Sequence, residues 1–188
     1  MTASYFRLLG ALLYNEPSTR ITNLLIDEAI FDELPDHSNE LMEKGRRQVN
    51  EWLKSAEEKT LTEDASVDYM RLFVGVGKVL APPWGSVYLD EDGLLFNEET
   101  LVVRQFYERF GMMLKEKYKE PDDHIGLELE FLAHLAEQNN NEAMVSFAKH
   151  MMLPWVSRWN DNVQQHARTD YYRGLANMAT GGIEELIR

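Results

Sequence analysis

The chain has 188 residues and a formal net charge of −13, from 19 basic and 32 acidic side chains. That length suits one domain, taken as 1–188, and the acidity disfavours nucleic acid and anionic membrane while favouring cationic partners. The absence of cysteine excludes disulfides, thiolate zinc sites, iron–sulfur clusters and cysteine nucleophiles.

Residues 3–14 read as a helix with Phe6, Leu9 and Leu13 on one side, stopped by Asn15-Glu16-Pro17. Arg7 interrupts this apolar stretch and no small-residue cleavage site follows, so it is not an export signal. No run reaches the roughly 18–20 apolar residues of a membrane span, and the expected location is the cytoplasm. Ser18 can cap a second helix through Leu24, Leu25 and Phe31, ending before Pro35. Residues 38–58 predict a polar, peripheral helix anchored by Leu41, Val49, Trp52 and Leu53. Its Arg46-Arg47 pair has no hydrophobic region behind it and is not an export motif. Thr60-Leu61-Thr62-Glu63 has the capping-box pattern and opens a helix through Tyr69, Leu72 and Phe73, which Gly75 and Gly77 end.

Residues 78–96 are irregular. Pro82-Pro83-Trp84-Gly85 cannot be helix, residues 86–90 are extended in character, and Asp90-Glu91-Asp92-Gly93 is a turn. A loop of that length inside a compact domain is a candidate functional element. Asn97, with Glu98 and Glu99 in the first turn, begins a helix carrying Leu101, Phe106, Phe110 and Met113.

Glu120-Pro121-Asp122-Asp123-His124 is the centre of the chain's organisation. Pro121 ends the preceding helix, and Asp122 or Asp123 can cap the next. That helix carries two apolar rows, Ile125, Leu129, Leu132 and Ala136 beside Leu127, Phe131 and Leu135, which predicts burial over much of its girth. Asn139-Asn140-Asn141 makes a turn, a short helix runs to about Met152, and Pro154 starts another with Trp155 and Trp159 at i and i+4. Thr169 or Asp170 caps a last helix that Gly181-Gly182 ends. The reading is an all-α bundle of eight or nine helices with one long Pro-rich loop.

Three chemistries are open to these residues. An enzyme would use Asp123 and His124 as an acid/base pair, but adjacent helical residues point about 100° apart and cannot orient each other as a triad does. A metal would use His124 with Glu128 and Glu130 with His134, yet the two pairs lie on different faces, so no metal site is expected. His134 is placed in or beside the core, and His37, His150 and His166 on the surface. Recognition fits best: Trp84 and Tyr88 are aromatic anchors, and Glu120, Asp122 and Asp123 offer carboxylates to a ligand with a basic and a hydrophobic part.

Tyr69-Met70-Arg71-Leu72-Phe73-Val74-Gly75, Pro82-Pro83-Trp84-Gly85-Ser86-Val87-Tyr88-Leu89-Asp90 and Glu120-Pro121-Asp122-Asp123-His124, in that order, resemble the TorD/DmsD family of redox-enzyme maturation chaperones. Leu153-Pro154-Trp155-Val156-Ser157-Arg158 is similar to a later segment of the same family, and the Pro-rich loop is nearer its DmsD branch. Gly75-Val76 departs from the Gly-Pro common in relatives.

The resemblance implies an all-α cytoplasmic chaperone and not an enzyme. It would bind the twin-arginine signal peptide of a molybdopterin oxidoreductase of the DMSO/TMAO reductase type, and hold the apoenzyme for cofactor insertion before export. It also implies no obligatory cofactor, with guanine nucleotide known for some members, and a monomer or domain-swapped dimer. The expected peptide-binding residues are Tyr69, Leu72, Phe73, Pro82, Pro83, Trp84, Ser86, Tyr88, Glu120, Pro121, Asp123 and His124. Asp123 would meet a client arginine, and His124, titrating near its ordinary ~6.5, would weaken binding as pH falls. The alternatives are a small cytosolic helical enzyme using Asp123 and His124, or a family member with a non-exported client.

Overall fold

Apolar residues at helical spacing, punctuated by proline, glycine and short polar caps, produce a fold made of helices. A computed structural model describes residues 3–34, 39–75, 77–90, 98–113 and 120–188. The helices are α1 (Ala3–Tyr14), α2 (Thr19–Asp27), α3 (Ile30–Glu33), α4 (Glu40–Leu53), α5 (Glu58–Tyr69), α6 (Ser86–Leu89), α7 (Glu98–Arg109), α8 (Ile125–Glu137), α9 (Asn141–Phe147), α10 (Leu153–His166) and α11 (Asp170–Leu186). π-Helical turns at Met70–Val74 and Ala148–Met152 follow α5 and α9. Among the described residues there is no strand, in accord with the all-α expectation. None of these helices is long and apolar enough to cross a membrane.

By its contacts the chain divides into two compact units: Met1–Tyr14, Pro83–Trp159 and Ile183–Arg188 form the first, and Asn15–Pro82 with Asn160–Gly182 the second. In the first unit α1 lies along α8. The approach is backbone to backbone: a Cβ on Gly126 would fall 2.7 Å from Tyr14 Cβ and 2.9 Å from the Gly10 carbonyl oxygen. Phe6 and Leu9 of α1 and Leu129 and Leu132 of α8 are fully buried. Arg7 ties the outer edge of the pair, its Nε 3.0 Å from Glu130 and its guanidinium also bonded to Glu137. An aromatic cluster completes this core, with Phe131 4.7 Å from both Tyr107 and Phe147 between ring centroids.

The second unit buries Leu25, Phe31, Met42, Val49, Leu61, Leu72, Phe73 and Tyr172. The helix expected to be peripheral, α4, instead buries Met42, Gly45, Val49 and Leu53 along one stripe. Asn39 caps it, Oδ1 accepting from Leu41 N and Met42 N. Gly181-Gly182 does not end α11, which runs on to Leu186. A Cβ on Gly181 would stand 2.6 Å from Asn39 Oδ1 and 2.9 Å from Met42 N, so this glycine permits close packing inside a helix.

Other boundaries shift for local reasons. The second predicted helix breaks into α2 and α3 at Ala29, whose φ is +46°. α5 begins at Glu58, ahead of the predicted capping box; Thr62 Oγ1 instead bonds the Glu58 carbonyl and the Thr22 hydroxyl. α7 stops at Arg109 and buries Thr100, Val103 and Tyr107, leaving Leu101 exposed. Pro154 lies in the first turn of α10 just after a π turn; it has no N–H to return to the preceding turn, and the wider helix absorbs that loss. The predicted cap at Asn97 and the turn at 90–93 fall wholly or partly outside the described residues, as does His37.

Candidate functional site

In the first unit the segment 120–124 and the segment 83–85 are bonded to each other. Trp84 and His124 form an isolated antiparallel bridge. Gly85 N donates to the Asp123 carbonyl at 3.0 Å, and Ile125 N donates to the Pro83 carbonyl at 2.8 Å. The indole N–H of Trp84 donates to Glu120 Oε1 at 2.5 Å. Two motifs 36 residues apart therefore present one surface, with a half-buried indole beside a half-buried carboxylate. Burial raises the Glu120 pKa from its ordinary 4.5; the indole bond opposes this shift and the Asp123 charge adds to it.

The interior of the segment is structural. Asp122 pairs with Arg104, and its carbonyl accepts from the Tyr107 hydroxyl at 2.8 Å. Asp123 is 1% exposed and both its carboxylate oxygens are engaged: Oδ2 accepts from Ser86 N at 2.6 Å and Oδ1 from the Thr100 hydroxyl at 2.8 Å. Neither aspartate caps α8. The cap is His124, whose Nδ1 accepts from Gly126 N at 3.0 Å, leaving the ring proton on Nε2. The His124 ring is packed edge-on to Tyr14 at 5.0 Å and to Trp84 at 6.2 Å. Burial lowers its pKa from 6.5 to about 3, so the ring is neutral over the range in which falling pH was expected to weaken binding. The Asp123 carboxylate makes its bonds to Ser86 and Thr100 and the His124 Nδ1 makes its own to the backbone, which is not the arrangement of an acid/base pair.

The same carboxylate explains residues 86–90. Asp123 accepts the N–H of Ser86 and thereby satisfies an orphan donor of the first turn. The stretch expected to be extended is the single helical turn α6. Gly85 precedes it against Trp155, where a Cβ would lie 2.7 Å from the indole nitrogen. Tyr88 stacks on Trp155 at 5.7 Å, with Arg158 over its ring at 6.0 Å.

Behind α6 is a cavity of about 250 Å³, lined by Ser86 and Leu89 of α6, Glu98, Glu99, Val102 and Val103 of α7, and Asp123, Glu128, Met151 and Trp155. Glu128 is 1% exposed, and among the described residues neither of its carboxyl oxygens has a hydrogen-bond partner. Burial, reinforced by Asp123, pushes its pKa well above the usual carboxylate range. Ser86 Oγ and Trp155 Nε1 are likewise buried without a partner among the described residues.

The remaining predicted residues lie in the second unit. Leu72 and Phe73 are core side chains, Tyr69 is half-buried edge-on to Phe73 at 5.5 Å, and Pro82 is half-buried. Val67, Met70 and Val74 are exposed on α5 and the π turn after it. Of the predicted set, Leu72, Phe73, Pro83, Ser86, Pro121, Asp123 and His124 are buried, whereas Trp84, Tyr88 and Glu120 keep part of their surface. Among the described residues no group of three or more His, Asp or Glu side chains is placed to hold a metal.

Residues 30–161 match the family model described as nitrate reductase delta subunit. The Tat proofreading chaperone DmsD of Salmonella typhimurium is 31% identical over 173 residues, spanning 92% of this chain and 82% of that one. The chain belongs to this family of redox-enzyme maturation chaperones. The chaperone protein TorD of Aliivibrio fischeri is 27% identical over 86% of this chain and 77% of its own. A crystal structure described as a redox enzyme maturation protein from Archaeoglobus fulgidus has the same fold, with a TM-score of 0.65 at 22% identity, covering 98% of this chain and 94% of that one. The named relatives are chaperones and not enzymes, and the chain is placed with them.

Four side chains around the 120–124 segment, Thr100, Arg104, Glu128 and Trp155, were not among the expected peptide-binding residues. The sequence pairs Glu128 only with His124, at a metal-like i, i+4 spacing. The available signal was an acid whose neighbours at helical spacing, Ile125, Phe131 and Leu132, are apolar.

Proposed function

We propose that this chain is a cytoplasmic chaperone that binds the twin-arginine signal peptide of a molybdopterin oxidoreductase of the DMSO/TMAO reductase type. It holds the apoenzyme until the cofactor is inserted and then releases it for export. The whole of 1–188 is taken to act as one chaperone domain, because each unit is built from separated stretches of the sequence. What carries the reading is the Trp84–Glu120 pair: an aromatic surface held by hydrogen bond against a carboxylate suits a partner that is basic and then apolar. The names of DmsD and TorD relatives, the first a Tat proofreading chaperone, support the same partner class.

The division of labour follows from magnitudes. An exposed arginine–carboxylate contact contributes only ~0–1 kcal/mol, whereas each large apolar side chain fully buried contributes ~1.5–3 kcal/mol. Micromolar affinity needs about −8 kcal/mol net of association costs. The apolar part of the signal therefore supplies most of the affinity, using the partly exposed Trp84 and Tyr88 of the first unit. Carboxylates set register and encounter rate.

The test is calorimetric titration of a synthetic peptide with paired arginines followed by a leucine-rich stretch, against a version with both arginines replaced by glutamine. Saturable binding that weakens when the arginines are lost is expected. Equal affinity for both peptides, or none for either, sinks the reading.

A further inference from the structure

We propose that the cavity floored by Glu128 receives one guanidinium group, the side chain of an arginine in the bound peptide. The inference deepens the reading above and rests on it for the source of the arginine. The geometry of the cavity stands independently. Glu128 lines a space of about 250 Å³, and its two carboxyl oxygens are buried beside that space with no hydrogen-bond partner among the described residues. That is far more than the roughly 30 Å³ share of a single water, so one ordered water does not fill it. A carboxyl with both oxygens free is the acceptor a planar guanidinium pairs with by two parallel N–H···O bonds.

The walls match the rest of an arginine. Leu89, Val103 and Met151 offer apolar surface to the methylene stem. Glu98 and Glu99 stand at the start of α7, where the exposed Glu98 draws a cation toward the opening. The two other orphan atoms fit a peptide better than a free cation. Ser86 Oγ can accept a guanidinium N–H, and Trp155 Nε1–H needs a carbonyl acceptor, which a peptide backbone carries and a simple cation lacks.

Arginine entry has a proton consequence. The groups facing Glu128 are Asp123 from the preceding segment, Tyr107, Glu98 and Glu99 from α7, and His150 from the π turn; Arg104 is engaged by Asp122. With no cation nearby, burial and the Asp123 charge keep Glu128 protonated above the usual carboxylate range. A guanidinium favours the ionised carboxylate, so the O–H proton leaves for solvent as the ion pair forms, and affinity rises with pH.

The experiment titrates ethylguanidinium into the full chain and follows the indole N–H resonances, with ethylammonium as the comparison cation. Proton release is read by calorimetry in two buffers of different ionisation heat. The expected result is a saturating shift of the Trp155 resonance, a preference for ethylguanidinium over ethylammonium, and proton release near pH 7. Glu128→Gln, with helix content verified by circular dichroism, should weaken binding at least tenfold and abolish the proton release. Ser86→Ala should weaken it less. An unmoved Trp155 resonance overturns the inference, as does equal affinity in Glu128→Gln. If the basic peptide binds wild type and Glu128→Gln alike, the cavity is unused while the chaperone reading stands. If ethylguanidinium takes the cavity and the peptide binds nowhere, the cavity stands and the peptide reading fails.

Discussion

The Trp84 indole donates to the Glu120 carboxylate at 2.5 Å, and this bond joins the Pro-Pro-Trp-Gly loop to the segment that begins α8. Trp84 is half-buried rather than core, so its ring can serve a partner while its nitrogen serves the fold. Trp84→Ala is expected to weaken binding of the basic–apolar peptide at least tenfold, about 1.4 kcal/mol. Far-ultraviolet circular dichroism should stay near wild type. A collapse of the melting temperature would assign Trp84 to the core instead.

Asp123→Asn separates a cap from a buried network. Were Asp123 only a helix cap, Asn would replace it at little cost. The structure has both carboxylate oxygens accepting, from Ser86 N and from the Thr100 hydroxyl. An amide keeps the acceptor for Ser86 N and makes the Thr100 hydroxyl reverse to accept from its NH2, so both bonds lose the carboxylate charge that strengthened them. The expected loss is about 1–3 kcal/mol of stability, measured by urea unfolding, with the affinity of the remaining folded protein little changed.

His124 governs pH dependence through stability rather than through binding. An unfolded histidine takes up its proton near 6.5, while the buried ring does so only at about 3. The unfolded chain therefore binds more protons in that window. The His124 contribution is complete above 6.5 and is lost as pH falls toward 3. At ~1.4 kcal/mol per pH unit, the loss between pH 6.5 and 5 is at most about 2 kcal/mol. His124→Asn keeps an acceptor for Gly126 N and should flatten that slope relative to wild type in denaturant melts at several pH values. Peptide affinity from pH 7.5 to 5.5 should be unchanged by the substitution; a clear difference would mean that the ring titrates after all.

Gly126→Ala probes the α1–α8 contact that holds the site. The new methyl would meet Tyr14 Cβ at 2.7 Å and the Gly10 carbonyl at 2.9 Å. Overpacking of this kind costs about 1–3 kcal/mol, although alanine favours helix over glycine. A lowered melting temperature is expected, and a raised one would show that the helices can part without penalty.

The sequence alone determined the helical class, because period and punctuation are local: the apolar rows of α8, the stop at Asn15-Glu16-Pro17 and the break at Pro82-Pro83 are properties of neighbours in the chain. It also marked the Pro-Pro-Trp-Gly and Glu-Pro-Asp-Asp-His stretches as the segments of interest. Tertiary structure decided what each side chain does there. Asp123 reaches Ser86 across 37 residues and Thr100 across 23, so it is spent on the fold and His124 becomes the cap. Residues 86–89 turn helical with Asp123 accepting the N–H of Ser86, and α11 passes through Gly181-Gly182 because Met42 and Asn39 press against it. Glu128 differs from any surface glutamate only in what surrounds it. Burial and partners are through-space quantities, and no periodicity in one chain encodes which carboxyl will be left without a donor.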